Sequence, residues 1–223
     1  MEMQPKKIIL GHAQGEIIEK KSRFIAGVYE IHSEPQALEI LESVRRNYYD
    51  ARHNCYAFVL GSNHQTQRFS DDKEPQGTAG KPILEVLTKQ NYYNTLIVVT
   101  RYFGGILLGT GGLARAYTAS ALEGLHQAEE TGAASVLFEG IPLRIQCDYS
   151  LSGKVQYLLS QMQIPVDQIL YDEKVTCLVV PPAAQADLLT AKITEATNAA
   201  ARITKEEPGS FILSGGAPVP YSF

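Results

Sequence analysis

The chain has 223 residues, room for one large domain or two small ones. With 44% hydrophobic and 20% charged residues it can bury a sizeable core, which excludes wholesale disorder. A formal charge of −4 excludes the general basic coat that non-specific nucleic-acid binding needs, so any phosphate contact must be local. The opening residues, MEMQPKKIILGHAQGE, lack the apolar core of a signal peptide, and no run approaches a membrane span. A cytoplasmic location without a membrane partner is expected. Cys55, Cys147 and Cys177 are widely separated and odd in number, so they read as buried free thiols rather than disulfides or a zinc site.

Apolar periodicity and turn residues divide the chain. Glu16 to Lys20 and Arg23 to Ile31 read as adjacent strands. Ser33 opens a helix, with Gln36 completing a capping-box pattern and Leu38, Ile40, Leu41 and Val44 forming an apolar stripe that ends near Tyr48. His53 to Leu60 is a strand closed by Gly61, and the stretch to Phe69 returns as its hairpin partner. SDDKEPQGTAGKP, residues 70 to 82, has no hydrophobic period and reads as a loop into a helix that starts near Lys81 or Pro82, with Ile83, Leu84 and Leu87 facing the core. Thr95 to Tyr102 is nearly all apolar, the mark of a strand buried on both faces. The Gly-rich FGGILLGTGGLARAY follows and becomes a helix to about Ala128.

The pattern weakens from Gly132 to Gly140, where a domain boundary is placed. Pro142 to Tyr149, Val166 to Asp172, Lys174 to Val180 and Arg202 to Lys205 read as strands. Leu151 to Met162, capped by Ser150 or Ser152, and Pro182 to Ala196 read as helices. The order βαββαβ is that of a ferredoxin-like unit. The expected division is 1–133, 138–206 and a Pro, Gly and Ser-rich tail, 207–223, either mobile or docked through Phe211, Ile212 and Leu213. The first 133 residues hold all five His and 14 Lys and Arg against 15 Asp and Glu, leaving six against nine beyond, so the first domain is the more promising place for a site.

Candidate chemistry clusters there. Gly104, Gly105, Gly109, Gly111 and Gly112 lie between a buried strand and a helix, where backbone N–H groups can hold a phosphate, although neither a Walker A nor a dinucleotide fingerprint is present. Arg101 and Arg115 flank these glycines and suit a phosphate or carboxylate; either can equally form a structural ion pair with Asp71 or Asp72. Asp71, Asp72 and Glu74 offer carboxylates to a magnesium ion, or simply turn the chain. Thr78, between Gly77 and Gly80, exposes backbone donors in the same loop. His53 and Cys55 share a strand face, an arrangement without a third group to complete a catalytic triad. Arg45, Arg46, Arg52, His53 and Arg68, interleaved with Tyr48, Tyr49 and Tyr56, suggest a local basic and aromatic face for RNA, or a solvated helix end.

At GKPILEVLTKQNYYNTLIVVTRYFGGILLGTGG the sequence resembles the signature of the IMPACT family, also called the YigZ or UPF0029 family. The resemblance rests on Gly80, Ile83, Leu84, Arg101, Tyr102, Phe103, Gly104, Gly105, Leu108 and Gly109. KKSRFIA at 20–26, RHNCYAFVLG at 52–61 and SDDKEPQGTAGKP at 70–82 extend it. Lys73 departs from it, since the family often has Gly there. The resemblance implies an α+β protein, with a first domain like domain 2 of ribosomal protein S-five and a ferredoxin-like second domain like domain V of elongation factor G. Both precedents touch the ribosome or its RNA, and the eukaryotic relative regulates translation. No accepted catalytic activity comes with the family, and no cofactor is expected. The leading expectation is therefore a non-enzymatic partner of ribosome or structured RNA, using a positive patch of Arg45, Arg52, Arg68 and Arg101 with the Gly-rich loop. A nucleotide- or phosphate-binding enzyme or sensor at residues 104–112, and a module that docks a translation factor, are the alternatives.

Overall fold

The computed structural model describes residues 5–223, so the first four residues of the expected first domain lie outside the described residues. The chain forms two compact units, Met1–Ser135 with Phe223, and Val136–Ser222.

In the first unit, β1 (Lys6–Ile9) precedes the hairpin β2 (His12–Glu19) and β3 (Ser22–Glu30). Its turn residues Lys20 and Lys21 both have left-handed φ, of 45° and 64°, without the Asn-Gly pair that usually announces such a turn. β2 starts four residues earlier than its apolar pattern suggests because small Ala13 and Gly15 form its buried face. A Cβ on Gly15 would lie 2.8 Å from the Glu123 backbone, so only glycine permits this helix approach.

α1 (Glu34–Asn47) begins with the Ser33 side chain accepting from Gln36 N–H, while Gln36 accepts from His32 N–H. Its buried stripe is Ala37, Leu41 and Val44; Leu38, expected inward, is 44% exposed. Next come β4 (His53–Leu60), β5 (Thr66–Ser70), α2 (Gly80–Lys89), β6 (Tyr92–Tyr93), β7 (Thr95–Tyr102) and α3 (Gly109–Glu130). The sheet order is β2-β3-β7-β4-β5, antiparallel throughout, and β1 pairs in parallel with β6.

β7 is central, so both of its faces are covered. Leu96 and Val98 pack with Ile31, Leu41, Val44 and Phe58. Ile97 and Val99 pack on the opposite face with Phe24, Cys55, Ile83, Leu87 and Tyr117. Each fully buried aliphatic side chain contributes about 1.5–3 kcal/mol.

β8 (Ala134–Gly140) spans the unit boundary and leads, in the second unit, to β9 (Leu143–Cys147), α4 (Tyr149–Gln161), β10 (Val166–Tyr171), β11 (Val175–Val179), α5 (Ala183–Ala196) and β12 (Arg202–Lys205). The antiparallel order β10-β11-β9-β12 is that of a ferredoxin-like sheet, over a core that includes Ile145, Val155, Cys177, Leu189 and Ile193. α4 starts at Tyr149 behind Asp148 without a side-chain cap, so neither expected serine caps it; Ser152 instead donates to the Tyr149 carbonyl. Residues 207–223 contain β13 (Gly209–Ser214) and β14 (Ala217–Pro220), a hairpin turned by Gly215 and Gly216, with β13 pairing to β8. Phe211 and Ile212 are buried, whereas Leu213 is 39% exposed. No helix among the described residues is long and apolar enough to cross a membrane.

Candidate functional site

The loop between β5 and α2 is held by its own acids. Asp71 accepts backbone N–H bonds from Gly77, Ala79 and Gly80 at 2.8–2.9 Å, closing the loop onto the start of α2. Asp72 accepts from Asn54 N–H at 2.7 Å and faces Arg45 at 3.7 Å. Asp72 and Lys73 both have left-handed φ, 39° and 70°, so Lys73 occupies a turn position that favours glycine. Thr78 is buried and donates to the Pro75 carbonyl. The three carboxylates that sequence placed around magnesium therefore face different partners, and among the described residues no group of three or more His, Cys, Asp or Glu is arranged to hold a metal.

Glu74 turns inward. Its Oε1 accepts from Arg101 Nη1 at 2.6 Å and from the Tyr117 hydroxyl at 2.9 Å, and the Glu74 and Arg101 side chains are 4% and 7% exposed. Arg101 therefore pairs with Glu74, not with Asp71 or Asp72. Its guanidinium lies 5.4 Å from the Phe24 ring and 5.6 Å from the Phe103 ring, with Ser22 Oγ 3.5 Å from Nη2. Its Nε is buried without a hydrogen-bond partner. His53 Nδ1 lies 2.9 Å from the Asp72 carbonyl, which can only accept, so this nitrogen carries the proton. Nε2 then faces Glu74 at 3.9 Å. The Cys55 thiol is fully buried, 3.0 Å from the Asp71 carbonyl and 3.4 Å from the Tyr117 hydroxyl. Burial pushes both Cys55 and Tyr117 well above their ordinary pKa values, which makes Cys55 a poor nucleophile.

A cleft of about 380 Å³ lies over this network, lined by Arg52, His53, Pro75, Phe103, Leu107, Thr110 and Leu113 among others. Gly104 threads past the β2–β3 turn, donating its N–H to Ser22 Oγ, and a Cβ there would collide with the Lys21 backbone. This close approach leaves Phe103 49% and Leu107 83% exposed at the rim. Gly105 and Gly109 adopt left-handed φ and carry the chain into α3, whose first turn has no side-chain cap. Arg52 is exposed at the same rim and holds no carboxylate among the described residues. The site thus has a neutralised, buried floor beneath one free cation, an exposed aromatic ring and open helix N–H groups.

The single positive face expected of Arg45, Arg52, Arg68 and Arg101 does not form. Arg101 is buried, Arg45 pairs with Glu42 at 2.7 Å, and Arg68 faces Glu34 at 3.4 Å. Arg115 is exposed on α3 but lines grooves other than this cleft. Ser22, Phe24 and Tyr117 gave no sign of their site contacts in the sequence, because each lies more than 40 residues away from Glu74. Only the shared phase of Arg101 with buried Ile97 and Val99 hinted that it points inward.

Fold and site define a two-domain α+β protein that joins a ligand-sized cleft to a ferredoxin-like unit. Residues 20–125 match the Impact N-terminal domain, and residues 145–200 match a domain of unknown function, DUF1949. The chain is 38% identical over 192 residues to IMPACT family member YvyE of Bacillus subtilis, covering 86% of this chain and 87% of that relative. It is 39% identical over 178 residues to IMPACT family member YigZ of Escherichia coli, covering 79% and 85% respectively. A crystal structure described as that of a hypothetical protein aligns with 33% identity and a TM-score of 0.53, covering 92% of this chain and 98% of the other. The chain belongs to the IMPACT family.

Proposed function

We propose that this chain is a non-enzymatic, translation-related protein of the cytoplasm that contacts RNA or the ribosome through the cleft rim of its first unit. Family membership supports the link to translation. The observation that supports the contact surface is the grouping of exposed Arg52 and Phe103 with the uncapped start of α3 around one cleft. Arg52 and the helix N–H groups suit a phosphate, and Phe103 suits an unstacked base, at about 1–3 kcal/mol for the stack. Arg101 holds the floor and stays out of the contact, so the electrostatic patch is smaller than its sequence suggests. With a phosphate or two neutralised, log affinity should fall by roughly 0.7 per phosphate for each tenfold rise in salt.

Co-sedimentation with purified bacterial ribosomes tests this reading. Wild type should pellet with ribosomes at low salt and be released at high salt, and Arg52→Ala and Phe103→Ala should each weaken the association. Wild type remaining at the top of the gradient at both salts, or both variants pelleting like wild type, would overturn it.

A further inference from the structure

The outer surface of α2 and α3 carries a second site that the cleft does not use. A groove of about 490 Å³ runs between the two helices, lined also by Gly77 of the loop over residues 71–79. On α3, Ala114, Thr118 and Leu122 repeat at four-residue spacing and share a face, with Leu122 40% exposed. Pro82 supplies the apolar wall on α2, and the groove continues toward Lys89 and Gln90. Its charge is one-sided. Arg23, Arg45, Arg68 and Arg101 all face carboxylates, whereas exposed Lys81 and Arg115 hold none among the described residues. Glu85, the acid in the groove, is taken by Lys89 at 3.1 Å.

From this placement we infer that the α2–α3 groove docks an acidic amphipathic helix of a protein partner, with carboxylates on Lys81 and Arg115 and aliphatic side chains over Ala114 and Leu122. Small residues at Ala114 and Ala119 let a third helix approach to the usual 8–10 Å axial spacing. RNA fits less well, because none of the lining residues is aromatic and a base has no ring to stack on. This inference does not depend on the RNA reading of the cleft.

Amide chemical shifts of the full-length protein test it, with a synthetic leucine-and-glutamate amphipathic helix of about four turns as probe. A matched peptide with lysine for glutamate serves as control. The acidic peptide should shift α2 and α3 amides and bind at least about tenfold more tightly than the basic one. Combined Lys81→Glu and Arg115→Glu should reverse that preference, and Ala119→Gln, which fills the groove without changing its charge, should weaken the acidic peptide. Equal binding of both peptides, shifts confined to other elements, or an oligouridine moving these amides where the acidic peptide does not, would overturn the inference.

Discussion

Glu74 and Arg101 form a buried pair, and removing one partner strands a charge in the core. Glu74→Gln keeps the shape but leaves the Arg101 guanidinium, 7% exposed, without its counter-ion at 2.6 Å, and weakens the acceptor of Tyr117 as well. Breaking such a pair costs about 3–5 kcal/mol, whereas replacing both partners by apolar groups is often close to neutral. Glu74→Gln should therefore cost about 3–5 kcal/mol, and the double replacement Glu74→Leu, Arg101→Met should recover most of it. Because the chain has two units, a local readout is needed. Hydrogen exchange of β7 and α3 amides that open with the first unit reports it, and the single variant should exchange about 150-fold to 4,000-fold faster than wild type. An acceleration of less than about threefold in Glu74→Gln, or a double variant worse than the single, would refute the buried-pair account.

Asp71→Ala removes the acceptor of three backbone N–H groups and should lower the stability of the first unit by about 2–4 kcal/mol, read by the same exchange. Lys73→Gly relieves a left-handed φ of 70° and should raise stability by up to about 1 kcal/mol in urea unfolding; a fall would contradict the strain. Gly104→Ala should prevent the loop from passing the β2–β3 turn, so thermal unfolding should show a lowered first-unit transition, whereas an unchanged melt would contradict the close approach. Burial raises the Cys177 thiol from 9.0 to about 11, so folding favours its protonated form. That stabilisation is complete below pH 9.0 and lost as pH rises through about 11; urea midpoints should fall across this window, and a Cys177→Ala variant should fall less.

The framework was legible where one period dominated. His53–Leu60 and Thr95–Tyr102 are apolar runs bounded by turn residues, and the βαββαβ order survives errors of a few residues at each boundary. β13 and β14 were hidden because Gly215, Gly216 and two prolines read as a linker, while their pairing is set by a long-range partner, β8. At the site, residue type was informative and pairing was not. Arg101 and Glu74 lie 27 residues apart, and three neighbouring acids offered equivalent charges. Only backbone geometry, with left-handed Asp72 and Lys73, turns Glu74 inward and points Asp71 at α2. Because β7 is apolar on both faces, its pattern likewise concealed that Arg101 belongs to the side packed on α2 and α3 rather than the side packed on α1.

Ultraviolet cross-linking of the full-length protein to bacterial ribosomes, with the linked peptides located by mass spectrometry, reads the RNA contact at the cleft rim itself. RNA adducts should appear at the cleft rim, on the peptides carrying Arg52 and Phe103, and should diminish in Arg52→Ala. Adducts confined to the second unit, or none above a no-ultraviolet control, would contradict it.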